Sequence, residues 1–264
     1  MNAALSCILG TAAGLHYGDV RPFAASLERT GFQGRCILFV TPTTRGIDRI
    51  RAHGIRTLLF ERPPELAYLS YNAYRYFLYQ KFMESSDRRF ERVLLTDVRD
   101  VVFQRDPFSF PWTPGLNITL EDRRMTIDRC PHMVRWLEGH PGGATWEKLR
   151  NRPISCSGIT AGDHDAMLRY LEALTERLLP FTPGKRMAGY DQAVHNRLLH
   201  AGQLDPVQMH DNTGPILTLG YKQELAMVNA SGDILNDAGE PAVIVHQYDR
   251  MKPLFDHVRQ RFMA

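Results

Sequence analysis

Short apolar runs that alternate with helical patterns constrain the fold of this chain more than any other feature. Runs of this length that are rich in Ile, Val and Leu are typical of strands buried on both faces. They are Ser6–Leu9, Cys36–Val40, Thr57–Phe60, Val93–Thr96, Ile118–Leu120, Ile216–Leu219 and Ala242–Val245. Apolar residues at helical spacing lie between several of them, at Val20–Thr30, Tyr71–Ser85, Asp165–Leu179 and Tyr190–His200. This alternation predicts an α/β fold with a mixed, mainly parallel sheet flanked by helices.

The segment around residues 108–153 departs from the alternation of strands and helices. It contains several prolines and all three tryptophans of the chain, Trp112, Trp136 and Trp146. We therefore expect an irregular lobe here, inserted into a single domain that spans residues 1–264.

Composition and charge exclude several classes of protein. The net charge is only +3 and no block of Lys or Arg stands out, which argues against a nucleic-acid partner. No run approaches the roughly 18 apolar residues of a membrane-spanning helix, and the opening stretch Met1–Gly14 predicts a first buried strand rather than a signal peptide. The four cysteines form no CxxC pair, so we expect free thiols and a cytoplasmic location.

The stretch Arg92–Phe108 carries the strongest chemical signal. An apolar strand leads directly into Asp97, and Asp100 follows three residues later. Ligands of open α/β sheets bind beyond the carboxyl ends of strands, where paired carboxylates suit Mg²⁺ or Mn²⁺ together with phosphate oxygens. The alternative is an acidic turn neutralised by Arg99 and Arg105, and this stretch alone does not decide between the two.

Two further signals come from the second half of the chain. His246 ends the last apolar run, where an imidazole could join the two carboxylates on Mn²⁺, and Lys252 nearby could place a positive charge beside a phosphate. Asp191 and Gln192 begin a short helix, where an acid is favoured by the helix dipole. Either feature by itself is also consistent with an ordinary structural role.

Arg75 is the last candidate. It shares one face of the predicted helix Tyr71–Ser85 with Asn72 and Tyr79, opposite an apolar stripe of Phe77, Leu78 and Phe82. The face is either a solvated surface or the support of an arginine that reaches an anionic ligand at the sheet edge.

Taken together, these signals resemble the metal-dependent GT-A glycosyltransferases, and in particular the retaining transferases related to glycogenin and to the lipooligosaccharide galactosyltransferases. The resemblance extends over nearly the whole chain, although each motif is short. The matching elements are Gly10–Tyr17 followed by Ser26-Leu27, Arg75 on a helix, the acidic motif at Asp97, the pair Asp191-Gln192, and His246 with Lys252-Pro253.

The acidic motif differs from the Asp-x-Asp of that family. Arg99 occupies its third position, and the second acid is Asp100. The sequence around these acids, together with Ser157-Gly158 and His246–Arg250, resembles the corresponding sequences of a less characterised group of GT-A transferases from bacteria and plants.

The resemblance implies a GT-A, Rossmann-like fold and transfer of a sugar from a nucleotide-diphosphate sugar, best a UDP-sugar, with retention of configuration. It implies a divalent metal, Mn²⁺ or Mg²⁺, on Asp97, Asp100 and His246. The donor's base would lie near Thr11, Ala12 and Tyr17, with Asp97 and Lys252 at the phosphates. Catalytic roles would fall to Asp191 and Gln192 at the sugar and to Arg75 at the leaving group.

The acceptor would be a glycan, a lipid or a small molecule. The tryptophan-bearing segment Trp112–Trp146 either offers aromatic faces to the sugar rings of an acceptor or serves the ordinary packing of a lobe. Other classes remain open. They are a non-catalytic nucleotide- or sugar-binding protein, a nucleotidyltransferase and a phosphatase of α/β fold.

Overall fold

The computed structural model describes residues 6–139, 146–179, 190–204 and 206–263. The strands are β1 (Ser6–Thr11), β2 (Arg35–Val40), β3 (Arg56–Leu59), β4 (Arg92–Thr96), β5 (Val101–Phe103), β6 (Leu116–Leu120), β7 (Ser155–Gly162), β8 (Val207–His210), β9 (Ile216–Thr218) and β10 (Ile244–His246). The helices are α1 (Tyr17–Arg29), α2 (Ile47–Arg51), α3 (Tyr71–Ser85), α4 (Pro131–Glu138), α5 (His164–Leu178), α6 (Tyr190–His200) and α7 (Lys252–Met263).

Seven strands form the central sheet in the order β3-β2-β1-β4-β7-β6-β8. All its pairs are parallel except those of β7, which runs against both β4 and β6. The expectation of a mainly parallel sheet flanked by helices is therefore confirmed, and the architecture is compatible with a Rossmann-like fold.

Alternate residues of β1 face opposite layers of helices. Cys7 and Leu9 pack in the core beneath α3, α5 and α6, whereas Ile8 packs in the core beneath α1 and α2. Because both faces are covered, the centre of the strand, Cys7–Leu9, is apolar on both faces, and this short run predicts the strand from sequence.

A second, three-stranded sheet has the order β5-β10-β9. β5 begins directly after Asp100, and β10 pairs antiparallel with it so that His246 lies opposite Val101. This pairing brings the end of β10 beside the acidic turn that follows β4.

Several elements were predicted closely. Helices α3 and α6 have the predicted bounds, and the Asp163 side chain caps α5 by accepting a hydrogen bond from the backbone N–H of Ala166 at 2.9 Å. β5, β7, β8, α2, α4 and α7 were not predicted. β7 has the sequence SCSGITAG, so its complete burial is not accompanied by a continuous apolar run.

The irregular lobe expected around residues 108–153 is only partly irregular. β6 lies within this range and belongs to the central sheet, and α4 is a helix of eight residues. Residues 140–145 of the lobe lie outside the described part of the chain.

The faces of α3 do not follow the sequence pattern. Arg75 and Tyr79 are buried and Asn72 is exposed, whereas Phe77, Leu78 and Phe82 are half-buried against the core. Tyrosine and arginine pack inward because their polar ends find hydrogen-bond partners there, so the face is neither solvated nor purely apolar.

The chain changes direction within the central sheet at β1. It passes from β1 through β2 to β3 on one side and then returns to place β4 on the other side of β1. In open α/β sheets such a switch point leaves a crevice beyond the carboxyl ends of the two strands, which is where ligands bind. Within the described residues, no helix has the length and apolar character that crossing a bilayer requires.

Candidate functional site

A cavity of about 400 Å³ lies at this switch point and is called the cleft below. Its walls come from the turns after β1, β4 and β10, the start of β7, the first turns of α3 and α6, and α4. The lining residues are Thr11, Ala13, Leu15, Tyr71, Asn72, Arg75, Asp97, Val98, Arg99, Asp100, Trp136, Cys156, Ser157, Gly158, Asp191, Gln192, Gln247 and Arg250.

Asp97, Asp100 and His246 converge in this region. Nε2 of His246 lies 3.3 Å from Oδ2 of Asp97 and 3.9 Å from Oδ1 of Asp100, and the ligand atoms of all three residues lie within 4.8 Å of one another. Within the described residues no other set of three His, Cys, Asp or Glu side chains meets in this way. Two carboxylates and one imidazole form a donor set that suits Mg²⁺ or Mn²⁺.

Gly158 makes room for this cluster. A Cβ atom at this position would lie 2.4 Å from Cε1 of His246 and 2.7 Å from Oδ2 of Asp97. The Gly158 carbonyl also accepts a hydrogen bond of 2.7 Å from the backbone N–H of Asp97. A residue without a side chain is therefore required where β7 passes the cluster.

Arg75 connects the cluster to α6. Its guanidinium donates one hydrogen bond to Oδ1 of Asp97 and another, of 3.1 Å, to Oδ2 of Asp191. The Ser157 hydroxyl donates a hydrogen bond of 3.3 Å to the same Oδ2 atom of Asp191. The two oxygens of Asp97 thus have different partners: Arg75 orients Oδ1, and Oδ2 is turned toward His246.

The electrostatics of the cluster follow from burial and charge. Burial raises the pKa of Asp97, but Arg75 and His246 outweigh it and hold this pKa well below its usual range. Burial raises the pKa of Asp100 and of Asp191. Burial lowers the pKa of His246, but the two neighbouring carboxylates outweigh it and raise this pKa above its usual value. The site is thus rich in acidic groups, with Asp97 held as a carboxylate.

The alternative of a neutralised acidic turn is not supported by the ion pairs. Arg99 pairs with Asp249 at 2.9 Å, and Arg105 pairs with Asp233 at 2.9 Å. Both arginines therefore form their ion pairs with carboxylates other than Asp97 and Asp100.

The structure brings together most of the residues predicted for the site. Thr11, Arg75, Asp97, Asp100, Asp191 and Gln192 line the cleft, and His246 lies against Asp97. Gln192 also donates to the sulfur of Met133 at 3.6 Å, which links α6 to α4.

Three predicted residues lie elsewhere. Ala12 is fully buried, and the hydroxyl of buried Tyr17 contacts Nε2 of His53 at 2.8 Å, so neither lines the cleft. Lys252 is 77% exposed at the start of α7, and its ammonium group pairs with Asp256. The chain turns away at Lys252 because the helix begins there.

Arg250 was not predicted and lines the cleft. It lies between His246 and Lys252 in sequence, its side chain is 56% exposed, and it makes a loose ion contact of 3.7 Å with Asp249. The available signals were its place in the stretch His246–Arg250 and its proximity in sequence to the predicted Lys252.

Gln247 is a second residue of the cleft wall that was not predicted as part of the site. It adopts a left-handed backbone conformation with φ of 60°, and its N–H donates to the carbonyl of Asp100 at 2.8 Å. Its Oε1 is buried and has no hydrogen-bond partner among the described residues. A non-glycine residue in this conformation cannot be recognised from sequence, because it depends on the tertiary contact with the acidic turn.

The tryptophans of the lobe have different positions. Trp112 is buried in the core with its Nε1 donating to the Pro107 carbonyl at 2.8 Å, whereas Trp136 lines the cleft. The side chain of Trp146 lies outside the described residues. Of the two tryptophans whose side chains are described, only Trp136 therefore lines the cleft.

Comparisons with known proteins add no relative to this picture: the chain matches no protein-family model, and no curated protein is significantly similar to it.

Proposed function

We propose that this chain is a GT-A-type glycosyltransferase that moves a sugar from a nucleotide-diphosphate sugar, best a UDP-sugar, with the help of a divalent cation. The observation that carries the proposal is the convergence of Asp97, Asp100 and His246 at the switch point of the sheet. A cation bound there supplies charge neutralisation for a diphosphate leaving group.

The protein's own residues take the following roles. Thr11, Ala13 and Leu15, after β1, line the part of the cleft where a nucleotide base would bind. Arg75 keeps Asp97 and Asp191 in fixed orientations, since its guanidinium bridges both carboxylates. It therefore acts as a positioning residue rather than a direct phosphate ligand.

Arg250 replaces Lys252 as the positive charge next to the phosphates. Its guanidinium lines the cleft and makes only a loose contact of 3.7 Å with Asp249, whereas Lys252 pairs with Asp256 outside the cleft. A fixed positive charge where negative charge develops in the leaving group lowers the barrier to transfer.

Asp191 and Gln192 lie at the cleft wall formed by α6, where they would contact the transferred sugar. The carboxylate of Asp191 is held by Arg75 and Ser157, so its orientation is set before a substrate binds. Such pre-organisation favours a role in binding the donor in one conformation.

The direct test is a donor screen. The purified protein is incubated with Mn²⁺ and a panel of nucleotide sugars, and release of the nucleotide by slow hydrolysis is measured, which requires no acceptor. We expect hydrolysis of at least one donor, its loss in EDTA, and its recovery when Mn²⁺ is restored. Full activity in EDTA would reject the metal-dependent mechanism.

A non-catalytic binding protein would give a different result. UDP with Mn²⁺ would then raise the melting temperature without any nucleotide being released. A ligand at a hundredfold excess over its Kd stabilises the folded state by about 2.7 kcal/mol, which corresponds to several degrees for a chain of this size. Stabilisation without hydrolysis across the whole panel would therefore replace the transferase by a binding protein.

A further inference from the structure

A second cavity of about 400 Å³ lies at the same edge of the sheet as the cleft. Glu121 and Asp122 directly follow β6, and Asp211–Thr213 follow β8, and these two strands run in the same direction as β1 and β4. The cavity is closed by Lys222, Glu224 and Asp237 from the segment between β9 and β10.

Most of the charges in the second cavity already have partners. Arg123 pairs with Asp211 at 2.8 Å, and Lys222 pairs with Asp237 at 2.8 Å. Arg124 bridges Asp122 and Glu224. These pairs keep carboxylates and cationic groups spread around the walls, where each retains capacity for further hydrogen bonds.

Glu121 is the exception. It is only 1% exposed, and its Oε2 has no hydrogen-bond partner among the described residues. A buried carboxylate oxygen without a partner is costly, so a donor group from a ligand in the cavity would remove a real penalty.

Glu121 also marks the border between the second cavity and the cleft. Its carboxyl interacts with the side chain of Cys156, which lines the cleft, and with the charge of Arg250, another residue of the cleft wall. A molecule in the second cavity would therefore lie beside whatever occupies the cleft.

The charge balance and the arrangement of the walls select the class of ligand. Five acids, Glu121, Asp122, Asp211, Glu224 and Asp237, face three bases, Arg123, Arg124 and Lys222, which disfavours an anionic ligand. The acids do not converge as a metal-binding group does, since within the described residues only the cluster in the cleft does so. A polar wall that alternates acceptors with cationic donors suits a molecule with many hydroxyl groups.

We propose that the second cavity is the acceptor site, and that it binds a saccharide carrying no anionic group, with Glu121 accepting a hydrogen bond from one of its hydroxyl or amino groups. Calling this cavity an acceptor site rests on the proposed transferase function. Saccharide binding in the cavity does not depend on catalysis. The volume lies within the range of about 300–1,000 Å³ that is usual for ligand pockets.

The test measures binding without donor or metal. Saturation-transfer NMR is recorded for wild-type protein with methyl β-glucoside, glucosamine and glucuronate as neutral, cationic and anionic probes. We expect saturation transfer to the first two and little to glucuronate. Glu121→Gln and Asp237→Asn should each weaken this binding by about tenfold, a factor that corresponds to one lost charge-assisted hydrogen bond.

The matched control is Asp48→Asn. It removes an exposed carboxylate of α2 that pairs with Arg51, and both residues are distant in sequence from those that line the cavity. It should leave probe binding unchanged. Asp237 is 38% exposed, so its variant tests the proposal even if replacement of buried Glu121 impairs folding. Failure of the neutral and cationic probes to bind, or binding that both cavity variants leave intact, would overturn the proposal.

The outcomes also separate the two proposals. Donor hydrolysis without saccharide binding would keep the transferase and reject this acceptor site. Saccharide binding that depends on Glu121 and Asp237, without hydrolysis of any donor, would keep the saccharide site and reject the transferase.

Discussion

The cleft and the second cavity lie at one edge of the same sheet and contain the same types of residue, but they pair their charges differently. In the cleft, one buried guanidinium, that of Arg75, serves both Asp97 and Asp191. In the second cavity, partly exposed arginines and Lys222 pair with nearly every acid, and Glu121 alone is left with an unpartnered oxygen.

This difference in charge pairing determines which kind of ligand each group of acidic residues can bind. Acids that outnumber their cationic partners and converge on one point, as Asp97 and Asp100 do with His246, leave negative charge for a metal ion. Acids that mostly pair with cationic groups and are spread around a wall leave hydrogen-bonding capacity, but no single point where negative charge converges. The number of acidic residues is therefore a poor guide to metal binding, and the pairing pattern is a better one.

The largest expected effect tests the shared guanidinium. Arg75→Ala would leave Asp97 and Asp191 without their cationic partner, and breaking a buried ion pair in this way typically costs about 3–5 kcal/mol of the free energy of unfolding. Arg124→Ala, at an arginine that is 51% exposed, should cost far less, because water replaces its contacts. Urea denaturation of both variants gives the comparison, and equal losses would show that the two regions do not differ in this respect.

The next effect concerns the unpartnered carboxyl of the second cavity. Burial raises the pKa of Glu121 to about 7. Between the unfolded pKa near 4.5 and this value, the folded state binds more protons than the unfolded state, so stability falls as the pH rises through this window. The loss by pH 8 is about 3 kcal/mol, since each pKa unit corresponds to about 1.36 kcal/mol.

Glu121→Gln should remove this part of the pH dependence and be more stable relative to wild type at pH 8 than at pH 5. Denaturation curves recorded at both pH values provide the measurement. If the stability difference between variant and wild type stays constant from pH 5 to pH 8, Glu121 does not titrate as its burial requires.

Metal binding distinguishes the two groups of acids directly. Asp97→Asn and His246→Ala each remove one ligand from the converging cluster and should weaken Mn²⁺ binding by about two orders of magnitude, or about 2.7 kcal/mol. Asp237→Asn, from the second cavity, should leave Mn²⁺ affinity unchanged. Titration of free Mn²⁺ by electron paramagnetic resonance measures all three, and a loss of affinity in Asp237→Asn alone would move the metal site to the second cavity.

The smallest expected effect compares two cationic residues near the end of β10. Arg250→Ala should weaken binding of UDP with Mn²⁺ by about tenfold, or about 1.4 kcal/mol, because it removes a charge that lines the cleft. Lys252→Ala should have no such effect, since its ammonium pairs with Asp256 outside the cleft. Calorimetric titration of both variants is the measurement, and the reverse order would restore the role that the sequence resemblance gave to Lys252.

The sequence by itself determined the strands and helices whose apolar pattern is local. β1, β2 and β4 are covered on both faces and read as continuous apolar runs, and α3 and α6 have the predicted bounds. The position of Asp97 directly after β4 followed from the same pattern, because a strand that ends at a switch point delivers its next side chain to the crevice.

Only the tertiary structure decided how distant parts of the chain meet at the site. His246 reaches Asp97 across 149 positions of sequence through the pairing of β10 with β5, and β7 supplies Gly158 although its residues carry no apolar run. The burial of Arg75, and the presence of Arg250 rather than Lys252 in the cleft wall, depend on contacts with residues that are distant in sequence or on the following helix. Local periodicity reports which face of an element is buried, whereas these contacts depend on strand pairing and on charges brought together by the whole fold.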